Sequence, residues 1–327
     1  MATRILVTGS TGYLGQHVAA ELLRQGYDVV GTVRNATKAQ ATTTALAAVA
    51  PTSGLTLVEA DLLSDAGWDT AVAGCDGGIH VASPFVLAEP KNEQELIGPA
   101  VEGTRRVLAA AARAGVRRVV LTSSIVSMTA GAPSGRYGTD AWSDVTAPIG
   151  AYAKSKTLAE RAAWEMVADG SMELVAINPG FILGPSLGAS DGTSVTLVRE
   201  LTSGKMPAVP NIAMGMVDVR DVARLHVAAL TADGAAGKRF IAASAEPIDM
   251  MHLATTLKAA GYKKVPTRRA PDFLIKAMAL VDREARGMVS QLGVRVAYDN
   301  HETFDTLGWT PTPIEQTVVE MAASLQK

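Results

Sequence analysis

The chain has 327 residues, a formal net charge of −2 and a hydrophobic content of 48%, which is ample for a packed core. A net charge this close to zero gives no electrostatic attraction for nucleic acid or for a membrane surface, and we expect neither as a partner. The single cysteine has no disulfide partner, and no Cys/His cluster has metal-site spacing. No apolar run approaches the ~20 residues of a membrane span, and no basic-then-apolar leader precedes the first strand. We therefore expect a soluble, cytoplasmic protein of one large domain or two smaller ones, without a metal.

The first predicted element is a strand that runs through a tight turn into a helix. An apolar run ends at Val7, glycines follow at positions 9, 12 and 15, and apolar residues then recur at helical spacing. Glycine in such a turn permits unusual backbone angles and lets the backbone approach a pyrophosphate, which the free N–H groups of the helix N-terminus attract. The alternative is a glycine-rich turn without a ligand. The residues of the predicted dinucleotide site are Gly9, Ser10, Thr11, Gly12, Tyr13, Leu14 and Gly15.

The second predicted strand, residues 27–34, ends in a basic residue. An acidic residue at this end would bind the ribose 2′-hydroxyl of NAD, whereas an arginine favours the 2′-phosphate of NADP. Here the strand ends in Arg34, and Lys38 follows one helical turn later. The hydroxyls of Ser10 and Thr11 could add further donors. We predict NADP(H) as the cofactor, the alternative being that the two cations are merely solvated.

The third predicted strand, residues 55–60, is followed by Asp61 and Leu62. An aspartate at this strand end can accept a hydrogen bond from the adenine amino group, and it can equally cap the next helix. Both roles stay open for Asp61, and we include both residues in the predicted cofactor site.

The fourth predicted strand and its exit span residues 77–84. The small side chains of Ala82 and Ser83 would let the backbone approach the cofactor, and Val81 precedes them. His80 lies within an apolar strand, and a packed core residue is the favoured interpretation over a catalytic base.

The remaining pattern predicts a Rossmann-type α/β fold. A long helix over residues 93–114 precedes a fifth strand over 117–122, and a sixth strand covers 172–177. Strands that alternate with helices form a doubly wound parallel sheet. Beyond residue 180 the segments shorten and the loops lengthen. We predict a dinucleotide-binding domain over residues 1–180 and a mainly substrate-binding lobe over residues 181–327, which is interleaved with the sheet and closes over the strand ends.

Three side chains form the predicted reaction centre. Tyr152 and Lys156 are four residues apart in a predicted helix, so they share one face. A nearby ammonium lowers the pKa of a tyrosine from about 10 toward working pH, and such a tyrosine can exchange a proton with a carbonyl oxygen. A serine hydroxyl at the end of the fifth strand, from Ser123 or Ser124, can hydrogen-bond the same oxygen.

Together these motifs resemble the extended short-chain dehydrogenase/reductase family, the NAD-dependent epimerase/dehydratase superfamily. The dihydroflavonol reductase-like branch, with cinnamoyl-CoA reductases and microbial carbonyl reductases, is the most similar, and the resemblance covers nearly the whole chain. The segments that carry it are the glycine pattern Gly9 to Gly15, Val33-Arg34, residues 80–84, Thr122-Ser123-Ser124, Tyr152-x-x-x-Lys156, Asn178-Pro179-Gly180 and residues 217–223.

The resemblance implies roles for individual residues. Tyr152 would be the general acid in reduction, and Lys156 would tune it and hold the nicotinamide ribose. Ser124 would polarise the substrate carbonyl, since the family uses the last serine of the run, and Thr122 would lie against the cofactor. Pro179 and Gly180 would run past the nicotinamide amide, while the segment 218–221 would link the two lobes without a catalytic role.

The chain also departs from the pattern of its relatives. The long helix has no asparagine in residues 99–104 for a water-mediated proton path, and residues 127–129 lack the asparagine of the plant flavonoid enzymes. The segment before Tyr152 is not the N-W-Y of cinnamoyl-CoA reductases. A general aldehyde or ketone reductase therefore fits better than either specialised activity.

A hydrophobic or aromatic substrate is expected, because apolar residues flank the predicted site, although ordinary core packing explains them equally well. Methionines would suit a tolerant pocket. The predicted substrate contacts are Phe85, Ser124, Met128, Phe181, Met206 and Met214.

We predict an NADPH-dependent reduction of an aldehyde or ketone to an alcohol. Two alternatives stay open: an NAD-dependent nucleotide-sugar epimerase or dehydratase, and a non-catalytic NADP-sensing regulator. The protein is expected to be a monomer or a homodimer, the dimer pairing helices 93–114 and 149–169.

Overall fold

The computed structural model of the chain describes residues 3–84, 90, 92–188, 192–280 and 287–326. The named helices and strands, in chain order, are β1 Arg4–Thr8, α1 Tyr13–Arg24, β2 Asp28–Val33, α2 Ala36–Ala47, β3 Leu55–Glu59, α3 Trp68–Val72, β4 Gly77–His80, α4 Gln94–Arg113, β5 Arg118–Thr122, α5 Val126–Thr129, β6 Gly135–Tyr137, α6 Ala151–Met166, β7 Glu173–Pro179, β8 Phe181–Leu183, α7 Thr193–Ser203, β9 Ala213–Met214, β10 Met216–Asp218, α8 Val219–Ala229, β11 Arg239–Ala242, β12 Ile248–Asp249, α9 Met250–Ala259, α10 Asp272–Met278, β13 Val296–Tyr298, α11 His301–Leu307 and α12 Ile314–Ser324.

A parallel sheet of seven strands, in the order β11-β7-β5-β4-β1-β2-β3, organises the described residues. The chain first builds outward from β1 through β2 to β3, and then returns to the other side of β1 with β4. The strand order therefore reverses between β1 and β4, and a crevice opens at their carboxyl ends, where sheets of this type bind ligands. The predicted doubly wound α/β fold is confirmed.

Both faces of the sheet are buried, which explains the near-continuous apolar strands. Alternate residues point to opposite faces, so Ile5 and Val7 pack toward α1 and α8 while Leu6 packs toward α3 and α4. All three side chains are at most 2% exposed. Full burial of such a side chain contributes about 1.5–3 kcal/mol, so these layers hold the strand ends in a fixed position.

The chain beyond residue 180 contributes both to this sheet and to a third core. Strand β11 pairs in parallel with β7 and becomes one edge of the sheet. Helices α7, α9 and α12 enclose the third apolar cluster, next to the short pairs β8–β10 and β9–β12. The division into residues 1–180 and 181–327 stays a prediction. Within the described residues, no helix is long and apolar enough to cross a membrane.

The segment 218–221 links elements that are distant in sequence. Asp218 caps α8 and also accepts a hydrogen bond from Thr317 on α12 at 2.7 Å. Arg220 pairs with Asp218 at 2.7 Å and with Glu320 at 2.6 Å. These contacts agree with the structural role that the resemblance implies for this segment.

Asp221 completes this link from the buried side of α8. Its carboxylate is 1% exposed and accepts hydrogen bonds from the Trp309 indole at 3.3 Å and from the Thr312 backbone N–H at 2.7 Å. It also accepts a bond from the Thr312 hydroxyl at 2.8 Å and pairs with Arg224. One carboxylate thus attaches the chain that leads into α12 to α8.

We expect Asp221→Ala to lower the free energy of unfolding by about 3 kcal/mol, because one buried donor and several partly buried donors lose a charged acceptor. Urea unfolding followed by circular dichroism measures the loss. The exposed Asp233 lies just beyond α8, and Asp233→Ala should change stability by less than about 0.5 kcal/mol. Equal losses in the two variants would contradict the linking role of Asp221.

Candidate active site

The glycine turn after β1 lies against the residues that follow β4. Close contacts explain why two of its positions are occupied by glycine. Gly9 has a φ of +68°, and a Cβ there would lie 2.9 Å from the Cα of Ala82. A Cβ on Gly15 would lie 2.1 Å from the carbonyl oxygen of Gly9. Any side chain at either position would push the turn away from the helix or from β4.

The first turn of α1 presents its backbone toward this crevice. The cap residue Gly12 is exposed, and no side chain of the described residues caps the helix. The free N–H groups therefore point outward, as a pyrophosphate site requires. Behind them, Leu14 is buried in the core, and the Tyr13 hydroxyl donates to the Gly184 carbonyl oxygen at 2.7 Å.

The two hydroxyls of the turn have different surroundings. Ser10 is fully buried, and its hydroxyl donates to the carbonyl oxygen of Thr32 at 2.9 Å. The expected role of this hydroxyl as a cofactor donor is therefore wrong, because it joins the turn to β2. The Thr11 side chain is partly exposed, and its contact with the cofactor stays a prediction.

The carboxyl ends of β2 and β3 hold the predicted adenosine contacts. Arg34 and Lys38 are exposed, and within the described part of the chain neither side chain forms an ion pair or hydrogen bond. The Asp61 carboxylate accepts a hydrogen bond from the Leu63 backbone N–H at 2.9 Å, which closes a local turn. It does not cap α3, which Gly67 precedes. Leu62 packs against Gly103 of α4, so its side chain has a structural role.

His80 at the end of β4 is a core residue, as favoured from the sequence. Its Nδ1 lies 2.7 Å from the Thr8 hydroxyl, which also accepts the Ala82 backbone N–H at 3.0 Å. Its Nε2 lies 3.4 Å from Thr104, whose own proton goes to the Ala100 carbonyl oxygen. The network thus requires a neutral ring with its proton on Nε2, and burial lowers the pKa of His80 to about 3. The following residues, Val81, Ala82 and Ser83, are partly exposed beside the glycine turn.

Helix α6 and the loop after β5 bring Tyr152 and Ser124 together. The Tyr152 hydroxyl forms a hydrogen bond with the Ser124 side chain. Burial raises the pKa of Tyr152 above its usual value, and the bond to Ser124 only partly opposes this rise. The expectation of a lowered tyrosine pKa is therefore wrong for this structure, because desolvation of the phenolate outweighs the other effects. A neutral phenol is the form that can donate a proton.

Lys156 lies one helical turn after Tyr152 and is only 7% exposed. Its ammonium donates to the carbonyl oxygen of Thr122 at 3.2 Å. Burial lowers the pKa of Lys156 to about 8, and the negative charge of Glu160 opposes that change. The side chain thus stays mostly protonated at neutral pH, at the carboxyl edge of the sheet.

The two serines after β5 have different partners. The Ser123 hydroxyl donates to the Glu160 carboxylate at 2.5 Å, which turns it away from Tyr152. The Ser124 hydroxyl bonds with Tyr152 and accepts the Val126 backbone N–H at 3.3 Å. These contacts favour Ser124 over Ser123 as the hydroxyl that meets a substrate.

Three buried polar residues near this centre are not predicted from the sequence. The His226 ring accepts the Thr122 hydroxyl at 2.7 Å and donates from Nδ1 to the Val222 carbonyl oxygen. Glu160 and Arg239 form a buried ion pair at 2.6 Å. Glu160 could have been found, because it continues the four-residue spacing of Tyr152 and Lys156 along α6. Nothing local in the sequence marks the other two.

The predicted substrate contacts do not form one cluster. Met128 is 2% exposed and packs with Ile125, Ile241 and Tyr298, so its expected contact with substrate is wrong and core packing explains it. Three others are partly buried at the edge of the third core, namely Phe181, Met206 and Met214. They stay predictions, and Phe85 lies outside the described residues.

The end of β7 borders the same site. The Pro179 carbonyl oxygen accepts the Ile125 backbone N–H at 3.0 Å. A Cβ on Gly180 would lie 2.3 Å from the Gly215 carbonyl oxygen, so close backbone packing explains this glycine. Among the residues the structure describes, no group of three or more His, Cys, Asp or Glu side chains could hold a metal ion.

Comparisons with known proteins identify the family of the chain. The sequence model of the NAD dependent epimerase/dehydratase family matches residues 5–243. The chain is 35% identical over 245 residues to cinnamoyl-CoA reductase CAD2 of Medicago truncatula, covering 72% of this chain and 74% of that protein. It is 32% identical over 254 residues to tetraketide alpha-pyrone reductase 2 of Arabidopsis thaliana, covering 71% and 75% of the two chains.

A solved structure shares the fold over nearly the whole chain. Yeast methylglyoxal/isovaleraldehyde reductase Gre2, solved in complex with NADPH, superposes with a TM-score of 0.81 at 24% identity. The match covers 99% of this chain and 98% of the yeast chain. At that identity, the likeness supports the fold.

The different partners of the two serines predict different losses of stability. Ser123→Ala removes a buried hydrogen bond to a carboxylate, and we expect it to lower the free energy of unfolding by about 2 kcal/mol. Ser124→Ala should lower it by less than about 1 kcal/mol, because its partners are neutral. Calorimetric melting of the two variants beside the parent chain measures both, and a larger loss in Ser124→Ala would contradict the assignment.

Proposed function

The chain belongs to the NAD dependent epimerase/dehydratase family, and from this premise we propose that it is an NADPH-dependent reductase that converts an aldehyde or ketone to an alcohol. The observation that carries the proposal is the hydrogen bond between Tyr152 and Ser124, one helical turn from the buried ammonium of Lys156. Two relatives that are more than 30% identical are named reductases, which supports the same direction of reaction.

The residues at the carboxyl edge of the sheet fit a dinucleotide. The glycine turn leaves no room for side chains between β1, α1 and Ala82, and the free N-terminus of α1 suits a pyrophosphate. The free cations Arg34 and Lys38 suit a 2′-phosphate on the adenosine ribose. When bound, NADPH supplies the hydride for the carbonyl carbon.

The reaction needs a proton for the carbonyl oxygen, and Tyr152 is placed to donate it. The raised pKa keeps its phenol protonated before the reaction, and Ser124 donates a second hydrogen bond to the same oxygen. The ammonium of Lys156, on the same face of α6, stabilises the negative charge that develops on the phenol oxygen. Ordering these groups around the carbonyl lowers the barrier through both alignment and charge stabilisation.

The substrate proposed is a hydrophobic or aromatic aldehyde or ketone of small to medium size. The segment before Tyr152 differs from that of cinnamoyl-CoA reductases, which favours free carbonyl compounds over CoA thioesters. A cytoplasmic location and a monomeric or homodimeric state stay predictions. An epimerase or a sensor is less well supported, because the end of β2 is basic and the proton-donating pair is intact.

Absorbance at the nicotinamide band, with a panel of aromatic aldehydes, aliphatic ketones, β-keto esters and cinnamoyl-CoA, tests the proposal. We expect NADPH oxidation with free carbonyl compounds, and a loss of at least about 100-fold in kcat in Tyr152→Phe, because the proton donor is gone. NADPH affinity, read from its fluorescence, should change little in that variant.

Full activity of Tyr152→Phe would remove the proton-donor assignment. If the parent chain oxidises NADPH with none of these compounds, the reductase proposal is rejected. In that case, stoichiometric NAD released on denaturation would favour the epimerase.

The role of Arg34 predicts a cofactor-specific effect. Arg34→Ala should weaken NADPH binding about tenfold, since a charged hydrogen bond to the 2′-phosphate is lost, and leave NADH binding unchanged. Fluorescence titration with each cofactor measures both constants. Arg105 is an exposed arginine on α4, and Arg105→Ala serves as the matched control. Parallel losses with NADPH and NADH would show that Arg34 does not read the 2′-phosphate.

A further inference from the structure

Glu160 is a buried carboxylate with no part in the proposed chemistry. It is completely inaccessible to solvent and lies on α6, one turn beyond Lys156. Its Oε2 accepts hydrogen bonds from the Ser123 hydroxyl at 2.5 Å and the Asn178 amide at 3.0 Å, and the Ser127 hydroxyl lies 2.7 Å from the same oxygen. The group therefore collects donors from the loop after β5 and from β7.

The ion pair with Arg239 balances the charge of Glu160. Arg239 on β11 donates to its Oε1 from Nε at 2.6 Å, and the Nη1 group of Arg239 donates to the carbonyl oxygens of Thr139 at 2.8 Å and Ala141 at 2.6 Å. The Trp142 ring covers the guanidinium at 3.9 Å. Burial alone would raise the pKa of Glu160, but Arg239 and the serine hydroxyls lower it, so the group is an anion.

The donors that Glu160 binds flank Ser124 on both sides. Ser123 donates to the carboxylate, and the Ser127 hydroxyl, with its single proton, lies 2.7 Å from both the carboxylate and the Ser124 carbonyl oxygen. The Asn178 amide also donates to the Ser124 carbonyl oxygen, at 3.3 Å. The loop that carries Ser124 is thus fixed to α6, the helix that carries Tyr152. The distance between the two reacting hydroxyls depends on this attachment.

The charge of Glu160 also acts on Lys156. The titratable groups around that ammonium are Tyr152 and Glu160 on its own helix, His80 on β4, His226 on α8, and Arg239 behind Glu160 on β11. Burial lowers the pKa of His80 to about 3 and of His226 to about 4, so both rings are neutral. Within this set Glu160 is the one anion at neutral pH.

We propose that Glu160 is a positioning residue of the reductase site, which fixes the Ser124 loop to α6 and keeps Lys156 in its ammonium form. The catalytic consequence of this inference rests on the proposed function. The attachment of the Ser124 loop and the protonation of Lys156 are properties of the folded chain and do not depend on that function. A glutamine could accept only through one oxygen and would present its amide protons to donors. A carboxylate satisfies all these groups and supplies the charge.

Lysine labelled with ¹³C at Cε reports the ionisation of Lys156 directly by NMR, without cofactor or turnover. The Lys156 signal is assigned by its absence in Lys156→Met. We expect a midpoint near pH 8 in the parent chain and a midpoint lower by about one pH unit or more in Glu160→Gln, because the neighbouring anion is gone. The alkaline limb of the kcat profile for reduction should move to lower pH by the same amount, since the ammonium is the active form.

Two further variants separate charge from folding. Arg239→Lys keeps the ion pair but loses the bonds to Thr139 and Ala141, so it should lower the melting temperature and leave the Lys156 midpoint unchanged. If Glu160→Gln fails to fold, Glu160→Gln/Arg239→Gln removes both buried charges and should still lower the midpoint, by a smaller amount, because the repulsion from Arg239 is also lost.

An unchanged Lys156 midpoint in either folded Glu160 variant would overturn the proposal, whatever happens to stability or rate. A lower midpoint in Arg239→Lys as large as in Glu160→Gln would also overturn it, because the shift would then follow general loosening. If the parent chain reduces no carbonyl compound, the NMR midpoints still decide the electrostatic role of Glu160. Failure of the proposed function is thus distinct from failure of this inference.

Discussion

The buried ion pair of Glu160 and Arg239 is the contact on which the reaction centre depends. It joins four parts of the chain, namely α6, the loop after β5, β7 and β11. Removing two charges from water costs several kcal/mol each, and a single ion pair seldom repays that cost. Here nearly every donor and acceptor around the pair is satisfied, so the cost is met by a network that also fixes Ser124 relative to Tyr152.

The cofactor side of the sheet depends on a different constraint, which is the lack of space. Gly9 meets Ala82 across the crevice, and Gly15 packs on the Gly9 carbonyl oxygen. The Ser10 hydroxyl then holds the turn to β2 from inside. Close packing and this hydrogen bond therefore fix where the turn lies, and with it the N-terminus of α1 at the crevice.

The features that can be predicted from the sequence are those that a short stretch of residues determines by itself. The glycine turn, the alternation of strands and helices, and the spacing of Tyr152 and Lys156 all follow from short stretches of sequence. Strand β11 does not, because it is short and joins the sheet only by pairing with β7 from far along the chain. The hydroxyl of Ser10, the burial of Met128 and the raised pKa of Tyr152 likewise depend on neighbours that only the fold brings close.

The distribution of charge around Lys156 has a simple physical reason. The fold satisfies the Thr8 and Thr122 hydroxyls with His80 and His226, whose burial keeps both rings neutral. A protonated ring at either position would repel the ammonium at close range, in surroundings where charges are poorly screened. With neutral rings on the sheet side, the acidity of Lys156 depends on its burial and on the carboxylate one turn along α6. The spacing of Tyr152, Lys156 and Glu160 on one helix face therefore sets both the proton donor and the charge that supports it.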